Sequence, residues 1–64
     1  MLYRQITFDE FMNLRPGDTV YILVGAIRYK SKVVRGAFYN ADADEPDFEI
    51  ETTNGFADVN SVCI

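Results

Sequence analysis

Asp42, Asp44, Glu45 and Asp47 put four carboxylates into one short stretch. Carboxylates at that density suggest calcium. An EF-hand loop supplies Asp or Asn at its first, third and fifth positions, Gly at the sixth and Glu at the twelfth. Counted from Asp42, the fifth, sixth and twelfth places hold Pro46, Asp47 and Thr53. The stretch therefore reads as a solvated acidic loop, and no metal is expected. Asp47, Glu49 and Glu51 carry the charge onward at every second residue. Arg28, Lys30 and Lys32 form a cationic row with the same step. If the two segments are neighbouring strands, the rows face each other. Each cross-strand pair of opposite charge would then contribute roughly 0.2–1 kcal/mol. The functional alternative makes the acidic row and the Asn40–Pro46 loop a patch for a basic partner.

The cationic row, with Tyr29 interleaved and Arg35 beyond it, has the mix of cations and rings used to bind single-stranded nucleic acid. Acidic neighbours would cancel its field beyond the ~8 Å Debye length. Nucleic acid is therefore the weaker reading. Catalysis is weaker still. The chain has no histidine, the commonest general base near neutral pH. Cys63 sits beside the last residue with no base evident in the sequence, and reads as a small core side chain. Ser31 and Ser61 have no partner motif. A small barrel also leaves little room for a closed pocket. A non-catalytic protein without cofactor is expected. Among the aromatics, Tyr3, Tyr21, Tyr29, Phe38 and Tyr39 should be mostly core. Phe38 and Tyr39 are adjacent and cannot both point inward in a regular strand. One of them, or Tyr29, is then a candidate interface anchor.

Several elements must position these residues. Thr7-Phe8-Asp9-Glu10 is a capping box, with Ile6 and Phe11 placed as a hydrophobic staple. Pro16 stops the helix, because the residue before proline avoids the α region. A helix is predicted over about residues 7–14, with Phe8, Phe11 and Met12 on an apolar face. Arg15-Pro16-Gly17-Asp18 fits a type II turn. Thr19 to Ile27 reads as a strand apolar on both faces, one in the core and one under the helix, with a bend or bulge at Gly25-Ala26. A second strand runs from Arg28 to Tyr39, and the Val33-Val34 break in its alternation implies a bulge or bend. Strands over 47–53 and 55–59 are joined at Asn54-Gly55, a hairpin signal. Asn60-Ser61 makes a short turn before a last strand over 62–64.

The chain has 64 residues, so one domain is expected with no linker. At this length burial is only about 60% of the unfolded surface and stability is marginal. One cysteine permits no internal disulfide, which favours a reducing, cytoplasmic setting. Met1 to Ile6 develops no apolar segment of a signal peptide. The apolar run from Val20 to Ile27 falls far short of the ~20 residues of a membrane helix. The formal net charge of −4 argues against general binding to phosphate backbones.

About five short β segments after one helix predict a mainly β protein, a small five-stranded SH3-like barrel with one short N-terminal helix. Leu14-Arg15-Pro16-Gly17-Asp18-Thr19-Val20-Tyr21, followed by a strand, a glycine and the Lys32-Val33-Val34 step, resembles the opening of SH3-like barrels, including KOW-type modules. It is also similar to small uncharacterised proteins of Gram-positive phages and mobile elements. In those an acidic strand, an Asn/Asp-Gly turn and an aromatic-to-valine segment follow, here Phe56-Ala57-Asp58-Val59. The resemblance spans roughly Leu14 to Val59 and implies fold more than function.

The leading expectation is an interaction module that binds another protein through Asp42, Asp44, Glu45, Asp47, Glu49, Glu51 and Tyr39. A sharper form is an acidic inhibitor of a nucleic-acid-binding complex, such as an anti-CRISPR. The competing class is a nucleic-acid or ribosome-associated module using Arg28, Tyr29, Lys30, Lys32 and Arg35. A third is a small homodimer pairing sheet edges; the chain is otherwise expected to be monomeric, and no membrane partner is expected.

Overall fold

The computed structural model describes residues 3–64. Met1 and Leu2, where the signal-peptide reading starts, lie outside them. The order is α1 (Phe8–Met12), β1 (Thr19–Val24), β2 (Ile27–Asn40), β3 (Asp47–Thr52), β4 (Gly55–Asp58), a 3₁₀ turn (Val59–Ser61) and β5 (Val62–Cys63). The strands form one antiparallel sheet in the order β4-β3-β2-β1-β5. The expected closed barrel is not what forms: β4 and β5 end the sheet at opposite edges without pairing. Among the described residues no helix is long and apolar enough to cross a membrane.

Local chemistry sets the ends of α1. The Thr7 hydroxyl accepts from the Glu10 N–H at 3.2 Å, and Glu10 accepts from the Thr7 N–H at 3.0 Å. The same carboxylate takes both terminal N–H groups of Arg4. It is the one ion pair among the described residues. The Arg4 guanidinium, with the Thr7 backbone N–H, holds the Glu10 carboxyl down to about 2 from 4.5. Its folded value lies below the unfolded one, so this contribution is complete above about 4.5 and is lost as pH falls toward 2. Glu10→Gln keeps a capping side chain but loses the charge. Its urea midpoint should fall less steeply than the wild type's across that window, whereas parallel curves would mean that solvent screens the pair completely.

Two turns differ from the sequence reading. Gly25-Ala26 is the two-residue loop of the β1–β2 hairpin, closed by Val24 opposite Ile27. The first strand therefore ends at Val24 and not at Ile27. In the second hairpin Thr52 stands opposite Gly55. Thr53 and Asn54 form its loop, and only Gly55, at φ +107°, is left-handed. Neither loop residue has the positive φ of a primed turn centred on Asn-Gly, and the glycine follows the loop as the first residue of β4. Asn54 then donates to the Lys30 carbonyl at 3.3 Å and to the Ser31 hydroxyl at 2.5 Å, tying this hairpin to β2.

β2 organises the molecule. Its first half pairs with β1, from Ile27–Val24 to Lys32–Thr19. Its second half pairs with β3, from Val33–Thr52 to Asn40–Asp47. Between them the register shifts on both sides of Arg35, the bend that the Val33-Val34 break predicts. Phe11, Val20, Val33, Ile50 and Val62 form the centre of the core, with Ile6, Ile22 and Ala57. Phe11 is 0% exposed but Phe8 is 50% exposed. The helix thus covers the core through one ring only. It lies on the inner side of β1, with Val20 and Ile22, and not over the opposite side. There Tyr21 and Tyr3 meet edge to face, with ring centroids 4.8 Å apart.

Candidate functional site

The register separates the two charged rows. Arg28, Lys30 and Lys32 stand opposite Leu23, Tyr21 and Thr19 of β1. Asp47, Glu49 and Glu51 stand opposite Asn40, Phe38 and Arg35 in the other half of β2. The expected cross-strand pairing is therefore absent. The reason is the offset along a 14-residue strand: alternation fixes which face a side chain takes, not which half of β2 receives β3. Lys30 and Phe38 mark the row centres, up to roughly 26 Å apart at about 3.3 Å per residue. Their near ends are closer: Lys32 lies three positions from Arg35, which stands opposite Glu51, so the carboxylates weaken the cationic field chiefly at its Lys32 end.

The acidic row lies on the outer side of the β2–β3–β4 ladder, because Phe48, Ile50 and Thr52 take the inner side. β4 extends that side with Phe56 opposite Glu51 and Asp58 opposite Glu49. Glu49 and Asp58 are like charges directly across a strand pair, an arrangement that costs stability. Each is held by a neutral donor. Asn40 donates to Glu49 at 2.8 Å, and Asp58 accepts the Asn60 N–H at 3.1 Å as cap of the 3₁₀ turn. Within this acidic frame the Phe38 and Phe56 rings meet edge to face at 5.9 Å. Phe56 is 59% exposed. Among the described residues Arg35 is the one cation on this side, and its guanidinium lies 3.8 Å over the Phe38 ring rather than on a carboxylate.

Tyr39 falls on the other side, opposite Phe48. It is 55% exposed, and its ring meets Phe48 at 5.2 Å, while Phe8 meets the same ring at 5.9 Å. Tyr39 thus joins an aromatic cluster under the end of the acidic loop and not the Glu49–Glu51 row. In that loop Asp42, Asp44 and Glu45 are exposed. Asp42 is oriented only through its N–H, which Asn40 accepts at 3.1 Å. Among the described residues no group of carboxylates and cysteine converges as a metal site, and no cavity opens. Comparison with known proteins leaves this geometry to speak for itself: no family model, curated protein or solved structure matches the chain.

Two members of the nucleic-acid set leave it. Tyr29 points to the inner side with Ser31 and Val33, and Arg35 lies across the bend on the acidic side. The cationic row gains Tyr3 and Tyr21 in their place. Arg28 lies over the Tyr3 ring at 4.9 Å.

The sheet edges are unequal. At β5 the N–H groups of Arg4 and Ile6 donate to Ile64 and Val62, at 3.0 and 3.2 Å, and Ile64 donates back to Arg4 at 2.9 Å. The N-terminal segment so covers that edge, while β4 keeps an open one. Phe56 and Asp58 are the site residues that the sequence reading missed. Their signal was the hairpin itself, since a two-residue loop after Thr52 places Phe56 and Asp58 beside Glu51 and Glu49.

Proposed function

We propose that this chain is a non-catalytic interaction module whose outer β2–β3–β4 side binds a cationic segment of another protein. The observation that carries this is a set of four carboxylates, Asp47, Glu49, Glu51 and Asp58, framing the Phe38–Phe56 pair without an ion-pair partner among the described residues. Carboxylates supply the charge contacts, and exposed ring surface supplies a site for the stems and heads of Lys or Arg. Keeping Glu49 opposite Asp58 costs folding stability, and a cationic partner would relieve that cost. The absence of histidine and the burial of Cys63 support a role without catalysis. The bent β2, shared between two halves of a sheet ordered β4-β3-β2-β1-β5, supports an open relative of the SH3-like barrel.

The test is fluorescence anisotropy with a labelled Lys/Arg-rich peptide against wild type and Glu49→Lys/Glu51→Lys. Reversal should weaken binding about tenfold or more, equivalent to roughly 1.4 kcal/mol, and salt should weaken the wild type. Equal affinities, or no binding of any cationic peptide, would reject the reading.

A further inference from the structure

We propose that copies of this chain associate head to tail, the cationic row of one copy pairing with the acidic row of the next. This rests on the acidic side as the binding face and names a second copy as its partner. Arg28, Lys30 and Lys32 occupy alternate positions of β2, and Asp47, Glu49 and Glu51 occupy alternate positions of β3. Each row therefore advances about 6.6 Å per charge, so three charges of one sign match three of the other in pitch. Within one copy they lie on different halves of the bent strand and are not cross-strand partners. Neither row makes an ion pair among the described residues.

The surroundings of the cationic row leave it ready for carboxylates. Its β1 neighbours on that side are Thr19, Tyr21 and Leu23, with no acid among them. Asp18, which precedes Thr19, accepts the Arg15 N–H at 2.9 Å instead. Arg28 lies over the Tyr3 ring, and Tyr21 meets that ring in a T-shaped contact. A stacked guanidinium loses little further freedom when its edge N–H groups take a carboxylate. The same stack occupies one face of the Tyr3 ring on which a base would stack, and the net charge of −4 opposes a polyanion. Both observations favour a carboxylate-bearing partner over nucleic acid. One arm and one acceptor per copy make a heterologous contact, which continues into chains or closes into a ring. Exposed pairs are weak and screened, so association is concentration-dependent and salt-sensitive.

Sedimentation equilibrium tests this on the wild type, Lys30→Glu/Lys32→Glu and Glu49→Lys/Glu51→Lys. In low salt the wild-type mass should rise beyond the dimer with concentration and return to monomer in molar salt, where the Debye length falls to ~3 Å. Each variant alone has two faces of one sign and should stay monomeric. Mixed in equal amounts they should assemble, because each reversed row then meets its opposite. A wild type that remains monomeric in low salt, or stops at a salt-insensitive dimer, overturns the proposal. So does a mixture that stays monomeric, or a shift of single-stranded DNA lost on reversing Lys30 and Lys32. If the wild type stays monomeric yet binds the cationic peptide, head-to-tail pairing falls and the acidic binding face stands.

Discussion

Phe11→Ala should cost about 3–5 kcal/mol in urea unfolding, while Phe8→Ala, on the same helix face, should cost about 1 kcal/mol. Phe11 is fully buried against Val20, Val33, Ile50 and Val62. Its truncation removes a whole ring from contact and leaves a cavity that strands on both sides of the bend cannot close. Phe8 is already half in water, and most of what it loses is one edge-to-face contact with Phe48. Domains carry about 0.05–0.15 kcal/mol of stability per residue, or roughly 3–10 kcal/mol for a chain of this length. Phe11→Ala therefore removes a large part of the total, and at the lower bound it unfolds the chain in buffer. The comparison of the two variants is the decisive measurement. Equal losses would mean that the helix covers the core with both rings, as the apolar spacing of α1 predicts. Two small losses would mean that α1 is peripheral.

The contrast between those rings shows where sequence reading reaches its limit. Helical spacing puts Phe8, Phe11 and Met12 on one side of α1, but five residues make little more than one turn. A helix that short rests on the sheet through one side chain. The spacing cannot say which one, because the contact depends on how Leu14 to Asp18 returns the chain to β1. Features set by neighbours in sequence were legible. The Thr7–Glu10 capping box is one, and the turn at Pro16-Gly17 is another, closed by the Asp18 N–H on the Arg15 carbonyl at 3.0 Å. The outward-facing side of the β3 acidic row was legible too, since alternation alone decides it. Its partner was not. Two rows of opposite charge and equal step invite pairing within the chain, and only the register of β2, with its shifts around Arg35, keeps them apart. The fork between Arg4 and Glu10 was invisible for a related reason: Arg4 reaches the helix from an extended segment docked on β5.

Gly36→Ala should destabilise the fold by about 1–3 kcal/mol through a clash rather than through backbone strain. A methyl group there would lie 2.8 Å from the Leu14 carbonyl oxygen, and that oxygen belongs to the backbone. Leu14 cannot easily retreat. Its N–H donates to Phe11 at 3.3 Å, and the turn just beyond it is tied to β2 by Gly17 donating to Val33 at 2.8 Å and Val33 donating to Asp18 at 2.9 Å. Gly17 provides the control. It has a φ of +95° but open space around its Cβ position. Asn at the third place of a type II turn tolerates that conformation, so Gly17→Asn should recover much of what Gly17→Ala loses. At position 36 the larger side chain should make matters worse, and Gly36→Asn should fall below Gly36→Ala in urea midpoint. The same ordering at both positions would remove the close approach of Leu14 as the reason that position 36 requires glycine.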